Sequence, residues 1–344
     1  MRKPLIFLCS VLAAFSFAAA PLAAAATAKH PATNAKQTSK PKVKSLAAAK
    51  KTVHKVHAKK NGKTVSSRAI ANARRDVRVA RASARPSTLE HPGVQSAGAL
   101  VINQLTGEVI YEKNADSITP IASITKLMTA MVVLDAKLPL NELISISEED
   151  VDKLKGTGSR LSPGLTLTRG EMLLLALMSS ENRAASALSR HYPGGREAFV
   201  QAMNNKAASL GMHRSRFLDS SGLNPNNVST ARELALMVKA ARDYPEIHQF
   251  STSSEYSLTS SRNGRTLAFH NTNPLVKNDS WEIGLSKTGY INEAGHCIVM
   301  QAKINDTPVV MVLMDSTGKY TRIGDAQRVR RWLETSPVAK LRAG

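Results

Sequence analysis

The stretch TPIASITKLMTAMVV, residues 119–133, joins an apolar helix pattern to two reactive side chains. Ile124, Leu127 and Met128 keep the spacing of one buried helix face. Ser123 opens the pattern and Lys126 follows one turn later, which puts the hydroxyl and the amine on the same side of the predicted helix. The unpaired N–H groups at a helix start also favour developing negative charge. These features suit a serine nucleophile with a lysine as its base.

Helix capping is the alternative explanation for this serine, because Ser is a common residue at helix starts. Ser-x-x-Lys strings also occur at Ser39–Lys42 and Ser316–Lys319, so the string alone is weak evidence. A lysine acts as a base only when it is neutral, which requires burial or a second cation nearby to lower its pKa. The choice between nucleophile and cap therefore depends on residues elsewhere in the chain.

Two further motifs offer suitable partners. Lys287-Thr288-Gly289 stands just before the apolar strand pattern HCIVMQAKI. Its lysine can hold a substrate carboxylate, its threonine hydroxyl can donate to the same group, and its glycine lets a substrate backbone approach the strand. Ser180 and Asn182 lie in a Ser-Glu-Asn triplet between two predicted helices, where a hydroxyl and an amide can relay a proton and hold a substrate amide.

The order of the three motifs is more specific than any one of them. Ser-x-x-Lys, Ser-x-Asn and Lys-Thr-Gly, in this order, are the motif set of class A β-lactamases and penicillin-binding proteins. A rival Ser-x-Asn at Ser261–Asn263 lies in the polar stretch SSRNGR, which indicates a turn, and we discount it. The motif set predicts that three distant parts of the chain form one pocket.

Longer stretches resemble one branch of these proteins. PIASITKLMTAMVVLDA, LLLALMSSENRAASAL, FLDSSGLNPNNVSTARELALM and SKTGYINEAGHCIVMQA resemble the D-alanyl-D-alanine endopeptidases, the type 7 branch of the low-molecular-mass penicillin-binding proteins, in the serine DD-peptidase and β-lactamase superfamily. The resemblance covers residues 96–334. It implies a five-stranded antiparallel sheet packed against an all-helical region, with the active site in the cleft between them.

The resemblance implies catalytic roles for four residues. Ser123 would attack the D-alanyl carbonyl to form an acyl-enzyme, and Lys126 would take its proton. Ser180 and Asn182 would position the substrate and pass a proton to the leaving amine, with electrostatic support from Lys287.

It also implies substrate binding by the strand that carries the third motif. Lys287, Thr288, Gly289 and Tyr290 would form this part of the site, with Thr288 in contact with the peptide. Tyr290 would contribute only its backbone N–H, which with the N–H of Ser123 would form the oxyanion hole.

Three alternatives to the endopeptidase are considered from the sequence: a β-lactamase, a carboxypeptidase and an inactive binding protein. A β-lactamase of class A needs a deacylating Glu in a Glu-x-x-x-Asn loop, and here Ser220 stands four residues before Asn224, which argues against efficient antibiotic hydrolysis. A membrane-anchored D-alanyl-D-alanine carboxypeptidase would, by family resemblance, carry another β-rich domain and an amphipathic anchor after the Lys-Thr-Gly strand, and the short remainder after Gly289 fits the endopeptidase branch better. An inactive peptidoglycan-binding protein would share every fold signal.

The patterns on both sides of these motifs predict an α/β or α+β domain at residues 95–335. GALVINQLTGEVIYEKNA indicates a β-hairpin, and EYSLTS, LAFHNT, HCIVMQAKI and PVVMVLMDS indicate strands. Capping boxes at Thr168–Glu171 and Thr230–Glu233 indicate helix starts, and DAQRVRRWLE indicates a closing helix. We expect a short C-terminal tail at residues 336–344.

The first 94 residues have a different composition. Residues 1–26 have a basic start, a short apolar run and small residues, typical of a secretory signal peptide cut between Ala20 and Ala28; an uncleaved anchor is the alternative. Between Lys29 and Ser87 there are 17 lysines and arginines and one acid, so +16 of the net charge of +21 lies here. With few large apolar residues, residues 27–94 are predicted to be a disordered linker.

These features predict a periplasmic protein whose basic linker gives weak electrostatic attraction to anionic envelope polymers or lipids. Because the charge lies in an exported tail, we expect no nucleic-acid partner. Peptidoglycan stem peptides are the expected substrates, and β-lactam antibiotics the expected covalent inhibitors. The histidines lack metal-ligand spacing and Cys297 lies in an apolar strand, so we expect no metal and no cofactor.

Overall fold

The computed structural model describes residues 90–259 and 264–343, with side chains to residue 340. The predicted signal peptide, the predicted linker up to residue 89 and the rival triplet Ser261–Asn263 lie outside the described residues. In the described part of the chain, no helix is long and apolar enough to cross a membrane.

The described residues form a mixed fold of strands and helices. The strands are β1 Gly98–Asn103, β2 Val109–Lys113, β3 Thr119–Pro120, β4 Leu143–Ser145, β5 Thr166–Thr168, β6 Val228–Ser229, β7 Glu255–Thr259, β8 Thr266–His270, β9 Glu282–Ile291, β10 Gly295–Ile304 and β11 Thr307–Ser316. The α-helices are α1 Thr125–Asp135, α2 Arg169–Met178, α3 Asn182–Arg190, α4 Gly195–Ser209, α5 Ala231–Ala241, α6 Pro245–Thr252, α7 Thr321–Thr335 and α8 Pro337–Ala343.

The central feature is a five-stranded antiparallel sheet in the order β2-β1-β11-β10-β9. The predicted hairpin forms β1 and β2, with Gly107 in the left-handed region at φ +78° in the turn. The last three strands follow one another through short turns. Strand β9, which carries Lys-Thr-Gly, is therefore an edge strand of the sheet. The predicted fold class and the five-stranded sheet are confirmed.

Both faces of the sheet are buried. In β11, Val310 and Val312 belong to the core cluster shared with helices α1 to α6, whereas Val309 and Met311 pack with Trp332 of α7. This alternation follows from the two-residue period of a strand. The sheet is thus a middle layer, with the helical region on one side and the closing helix on the other.

The helix starts follow their predicted signals in part. Thr168 and Glu171 form a reciprocal capping box at α2, as predicted. At α5 only half of the predicted box forms: Thr230 accepts a hydrogen bond from the Glu233 N–H, but the Glu233 carboxylate accepts from Ser215 and from the Arg214 N–H instead. Tertiary partners here replace the local one.

The chain enters and leaves the domain on the α7 side. The buried carboxylate of Asp325 in α7 accepts hydrogen bonds from the N–H groups of Gln95 and Ser96, at 2.9 and 2.7 Å. After α7, the segment predicted as a tail contains α8, in which Ala339 is buried.

Candidate active site

The first motif lies where α1 begins. Residues Ala122–Ile124 form a single 3₁₀ turn that leads directly into α1, and Ser123 lies within this turn rather than at its cap. No cap side chain at either start makes a capping hydrogen bond. Capping alone therefore does not account for this serine, and its hydroxyl instead lies 2.7 Å from the amine of Lys126.

The Lys126 amine is fully buried and has three oxygen partners in the described part of the chain. Its Nζ lies 2.7 Å from Ser123 Oγ, 2.7 Å from Asn182 Oδ1 and 2.7 Å from the Ser221 carbonyl oxygen. The two carbonyl-type oxygens can only accept hydrogen bonds, whereas the hydroxyl can also donate. A neutral amine has two N–H groups and one lone pair. With both N–H groups donated to the carbonyl oxygens, the lone pair is directed at the Ser123 hydroxyl.

Burial makes the neutral amine accessible near neutral pH. It lowers the pKa of Lys126 to about 7, while the charges of Asp219 and Glu181 act in the opposite direction. A second lysine is thus not the main cause of this shift, although the motif pattern suggested that role for Lys287. The lysine can accept the serine proton without an additional base.

Lys287, the first residue of the third motif, contacts the serine of the second motif. Its Nζ donates to Ser180 Oγ at 2.9 Å and to the Thr288 carbonyl oxygen at 2.9 Å. The side chain is 1% exposed, and its pKa is held well below the usual value by burial first, and then by the charges of Lys126 and Arg322. Ser180 is in the left-handed backbone region at φ +62°, a conformation uncommon outside glycine, in the short link between α2 and α3.

Strand β9 passes close to the serine because residue 289 has no side chain. A Cβ built on Gly289 would lie only 3.0 Å from the Ile121 carbonyl oxygen and 3.0 Å from the Ser123 nitrogen. The backbone of β9 therefore comes within reach of the Ser123 N–H. Next to it, Thr288 Oγ1 donates to Thr272 Oγ1 at 2.7 Å, and Tyr290 is 52% exposed at the strand edge.

A second glycine holds the turn that carries Ser123. Ala122 has φ +47°, an uncommon value for a residue with a side chain. A Cβ built on Gly222 would lie 1.9 Å from the Ala122 carbonyl oxygen and 2.9 Å from Thr125 Oγ1. Gly222 itself is held by the Asp219 carboxylate, which accepts its N–H and that of Ser221. The loop after α4 therefore packs at Gly222 directly against the 3₁₀ turn that contains Ser123.

All eight predicted site residues lie in this region. Several residues that contact or act on them were not predicted from the sequence. Thr157 Oγ1 accepts from Asn182 Nδ2 at 3.0 Å and so orients the amide, and Ser221 contributes only its carbonyl oxygen. Arg322, in the first turn of α7, acts electrostatically on Lys287, and its buried Nε has no hydrogen-bond partner among the described residues. No local pattern distinguishes these three residues from ordinary polar positions.

The competing sequence candidates have structural roles. Ser316 Oγ is buried in a hydrogen bond with Ser96 Oγ at 2.8 Å, so this described Ser-x-x-Lys string is not a second nucleophile. Ser220 donates its hydroxyl to the Ala185 carbonyl oxygen at 2.9 Å and provides no carboxylate. Cys297 is a buried core residue, as predicted, and burial raises the pKa of its thiol to about 11.

Related proteins are named D-alanyl-D-alanine endopeptidases or carboxypeptidases. A D-alanyl-D-alanine endopeptidase of Pseudomonas aeruginosa is 52% identical over 248 residues, covering 72% of this chain and 80% of the relative. An endopeptidase of the same name from Escherichia coli is 50% identical over 256 residues, covering 74% and 83%. Relatives named D-alanyl-D-alanine carboxypeptidase match at 25–31% identity.

Solved structures show the same fold. The crystal structure of a Streptomyces DD-transpeptidase has a TM-score of 0.65 at 27% identity, and covers 72% of this chain and 98% of that one. Penicillin-binding protein D2 of Listeria monocytogenes, in an ampicillin-bound form, has a TM-score of 0.59 at 28% identity, covering 70% and 97%.

Fold and motifs together define the class of serine DD-peptidases related to penicillin-binding proteins. A family model described as D-alanyl-D-alanine carboxypeptidase matches residues 85–318. The chain belongs to this family.

The contact between Gly222 and the serine turn yields a testable prediction. Gly222→Ala should lower the rate of acylation by a fluorescent penicillin by about a hundredfold, because the new methyl group must displace the Ala122 carbonyl and a small misplacement of a reacting group is costly. The matched control is Gly211→Ala: Gly211 has φ +77°, close to the φ +82° of Gly222, but nothing lies within 4 Å of its built Cβ. Equal effects of the two substitutions on acylation would contradict a role of the close contact between Gly222 and Ala122.

Proposed function

We propose that the protein is a serine DD-endopeptidase that cleaves D-alanyl-diaminopimelate crosslinks in peptidoglycan through an acyl-enzyme on Ser123. The observation that carries the proposal is the buried Lys126 amine, with two carbonyl oxygens and the Ser123 hydroxyl as its partners. An inactive binding protein has no need for a lysine that is desolvated at this cost and directed at a serine.

In the first step, the Lys126 lone pair accepts the Ser123 proton while Oγ attacks the D-alanyl carbonyl carbon. Negative charge then develops on the former carbonyl oxygen. The backbone N–H groups of Ser123 and Tyr290 are the donors we assign to it, since Gly289 lets β9 lie against the serine turn. A single such donor contributes about 3 to 4 kcal/mol to transition-state stabilisation in enzymes where one was removed.

In the second step, the tetrahedral intermediate collapses and the C–N bond breaks. The leaving amine needs a proton, and the Ser180 hydroxyl, held by Lys287 at 2.9 Å, is placed to deliver one. The proton that Lys126 took from Ser123 replaces it on Ser180, which leaves Lys126 neutral again. Asn182, oriented by Lys126 and Thr157, can hold the substrate amide. Water then attacks the ester carbon, and the neutral Lys126 takes a proton from it. When the bond between the acyl carbon and Ser123 Oγ breaks, the lysine returns this proton to Oγ, which restores both groups.

The end of the cleft near the third motif suits a substrate carboxylate. The buried guanidinium of Arg322 gives this end positive charge and acts on Lys287, whose amine adds N–H donors. Thr288, the next residue of β9, adds a hydroxyl that contacts Thr272 Oγ1 at 2.7 Å. A D-amino acid carboxylate adjacent to the scissile bond would complete these donors.

Endopeptidase action is favoured over carboxypeptidase action by the relatives at 50–52% identity that are named endopeptidases, against 25–31% for those named carboxypeptidases. Trimming of pentapeptide stems by a D-alanyl-D-alanine carboxypeptidase activity is the second candidate. β-Lactams would acylate Ser123 in the same way as a substrate. Their slow release is expected because position 220 provides no carboxylate to activate water.

Periplasmic location and a loose electrostatic tether to the envelope complete the proposal. The +16 segment between Lys29 and Ser87 supports the tether, since such a charge attracts anionic polymers at low ionic strength. Deletion of residues 29–84 should lower envelope retention in low salt and have little effect in high salt. Equal retention of full-length and shortened protein in low salt would exclude the tether.

The pKa of Lys126 gives a prediction for pH dependence. The neutral amine is the reactive form, so the second-order rate of acylation by a fluorescent penicillin should rise about tenfold per pH unit below about 7 and level off above it. Lys126→Arg, which stays charged at every accessible pH, should abolish acylation. A flat profile across this range, or an inflection near the ordinary lysine value of 10.5, would show that another group is the base.

Digestion of purified muropeptides tests the reaction. The wild type should convert crosslinked dimers to monomers, and Ser123→Ala should release none while remaining folded. Ser316→Ala, which removes the serine of the other described Ser-x-x-Lys string, should retain activity per folded molecule. Release of terminal D-Ala with intact dimers would favour the carboxypeptidase, and a folded wild type that penicillin does not label would favour the inactive binding protein.

A further inference from the structure

The loop at residues 151–165 contains no helix or strand, and it contacts both the Asn182 side of the cleft and the turn between β9 and β10. The carboxylate of Asp152 organises it by accepting hydrogen bonds from the N–H groups of Leu154, Lys155 and Thr157 at 2.8, 3.0 and 2.8 Å. It also accepts from Thr157 Oγ1 at 2.7 Å. Four donors on one carboxylate give the loop a defined shape despite its irregular backbone.

One end of the loop is attached to the catalytic amide. Thr157 Oγ1 accepts from Asn182 Nδ2 at 3.0 Å, and the other side of the same amide contacts Lys126. Two residues earlier in the loop, Lys155 Nζ lies 2.5 Å from Glu293 Oε1. Glu293 belongs to the turn between β9 and β10, so the loop connects the Asn182 wall to the hairpin that forms the opposite wall.

The position of this ion pair has a consequence for the substrate path. Gly289 lies beside Ser123, and Glu293 follows it by four residues, in the turn directly after β9. The carboxylate-binding groups, including Lys287, lie before Gly289 on the strand. A peptide extended along β9 with its carboxylate at that end runs past Tyr290 toward the hairpin tip, where Lys155 and Glu293 meet.

We propose that the Lys155–Glu293 pair is a strap that selects between substrates by size. A small penicillin occupies the space around Ser123 and does not reach the hairpin tip. A crosslinked stem peptide, which continues beyond the cleft on both sides of the scissile bond, requires the strap to open. This inference rests on the proposed endopeptidase function and adds to it the residues that control access for the crosslinked substrate.

The strap can open because its ion pair is only partly buried. The side chains of Lys155 and Glu293 are 26% and 41% exposed, so water and salt compete for both charges. The Asp152 contacts do not involve the Lys155 side chain, and the loop can keep its shape when the pair separates. Opening therefore needs no rearrangement of the catalytic groups.

Substitution of either partner tests the strap. Lys155→Ala and Glu293→Gln should each raise kcat/KM for a crosslinked muropeptide dimer by about two- to fivefold, the range expected for a surface pair. Acylation by a fluorescent penicillin should remain unchanged. The double exchange Lys155→Glu with Glu293→Lys should return dimer cleavage toward the wild-type rate. A fall or no change in dimer cleavage in both single variants would overturn the proposal.

A covalent strap provides a second test with a larger expected effect. Lys155→Cys and Glu293→Cys, joined by a bis-maleimide, should cut dimer cleavage about tenfold or more relative to the same double variant capped with a monofunctional maleimide. Penicillin acylation should be the same in both samples. Cys297 is buried with a thiol pKa of about 11, so it does not compete for the reagent, and the other cysteine, Cys9, lies in the predicted signal peptide and is absent from the processed protein used in this experiment.

The outcomes separate the strap from the proposed function. Undiminished dimer cleavage in the bridged sample, or equal loss of dimer cleavage and acylation, would overturn the strap. If the wild type is labelled by penicillin but cleaves no dimers, the endopeptidase assignment itself is wrong. That result is obtained without any substitution or bridge, so it is distinct from failure of the strap.

Discussion

The chemistry depends on a lysine amine that has been removed from water. At 0% exposure, Lys126 can carry its charge only at a high desolvation cost, which lowers its pKa to about 7. Because Asn182 and Ser221 present acceptor oxygens to the amine, the Ser123 hydroxyl is, among the described residues, the single partner that can donate to it. One buried contact thus identifies both the base and the nucleophile.

The surrounding fold serves to hold this contact in place. Glycines at 222 and 289 allow a loop and an edge strand to press on the serine turn from two sides, and Ala122 keeps an uncommon backbone conformation between them. Ser180 has a similar left-handed backbone where it meets Lys287. Strained backbone in a packed setting is typical of functional sites, where the surrounding structure over-determines the position of reactive groups.

Much of the fold and site could be predicted from sequence because the signals are local. The residues of the hairpin, those of the α2 capping box and those within each motif lie close together in the sequence, and their spacing has a direct physical meaning. The order of the motifs then places Lys126, Asn182 and Lys287 together. Periodicity alone did not distinguish an α/β domain from an α+β domain. The five-stranded sheet was predicted from the resemblance to penicillin-binding proteins.

The rest depends on contacts between distant residues, which no local pattern encodes. The Glu233 carboxylate accepts a hydrogen bond from Ser215 instead of closing its own capping box. The Ser221 carbonyl oxygen contacts Lys126, which is 95 positions away in the sequence. Burial of Lys126 comes from the whole packed cleft, so its dominant effect on the pKa could not be distinguished in advance from that of a second cation. The tie from Asp152 through Thr157 to Asn182 is equally invisible in a sequence of ordinary polar residues.

Neutron crystallography would test the central claim most directly, because it locates the hydrogens between Ser123 and Lys126. At a pD well above the Lys126 pKa of about 7, the account predicts two deuterons on Nζ, directed at Asn182 Oδ1 and the Ser221 carbonyl oxygen, and a Ser123 deuteron directed at Nζ. Three deuterons on Nζ, one of them directed at the Ser123 oxygen, would contradict it.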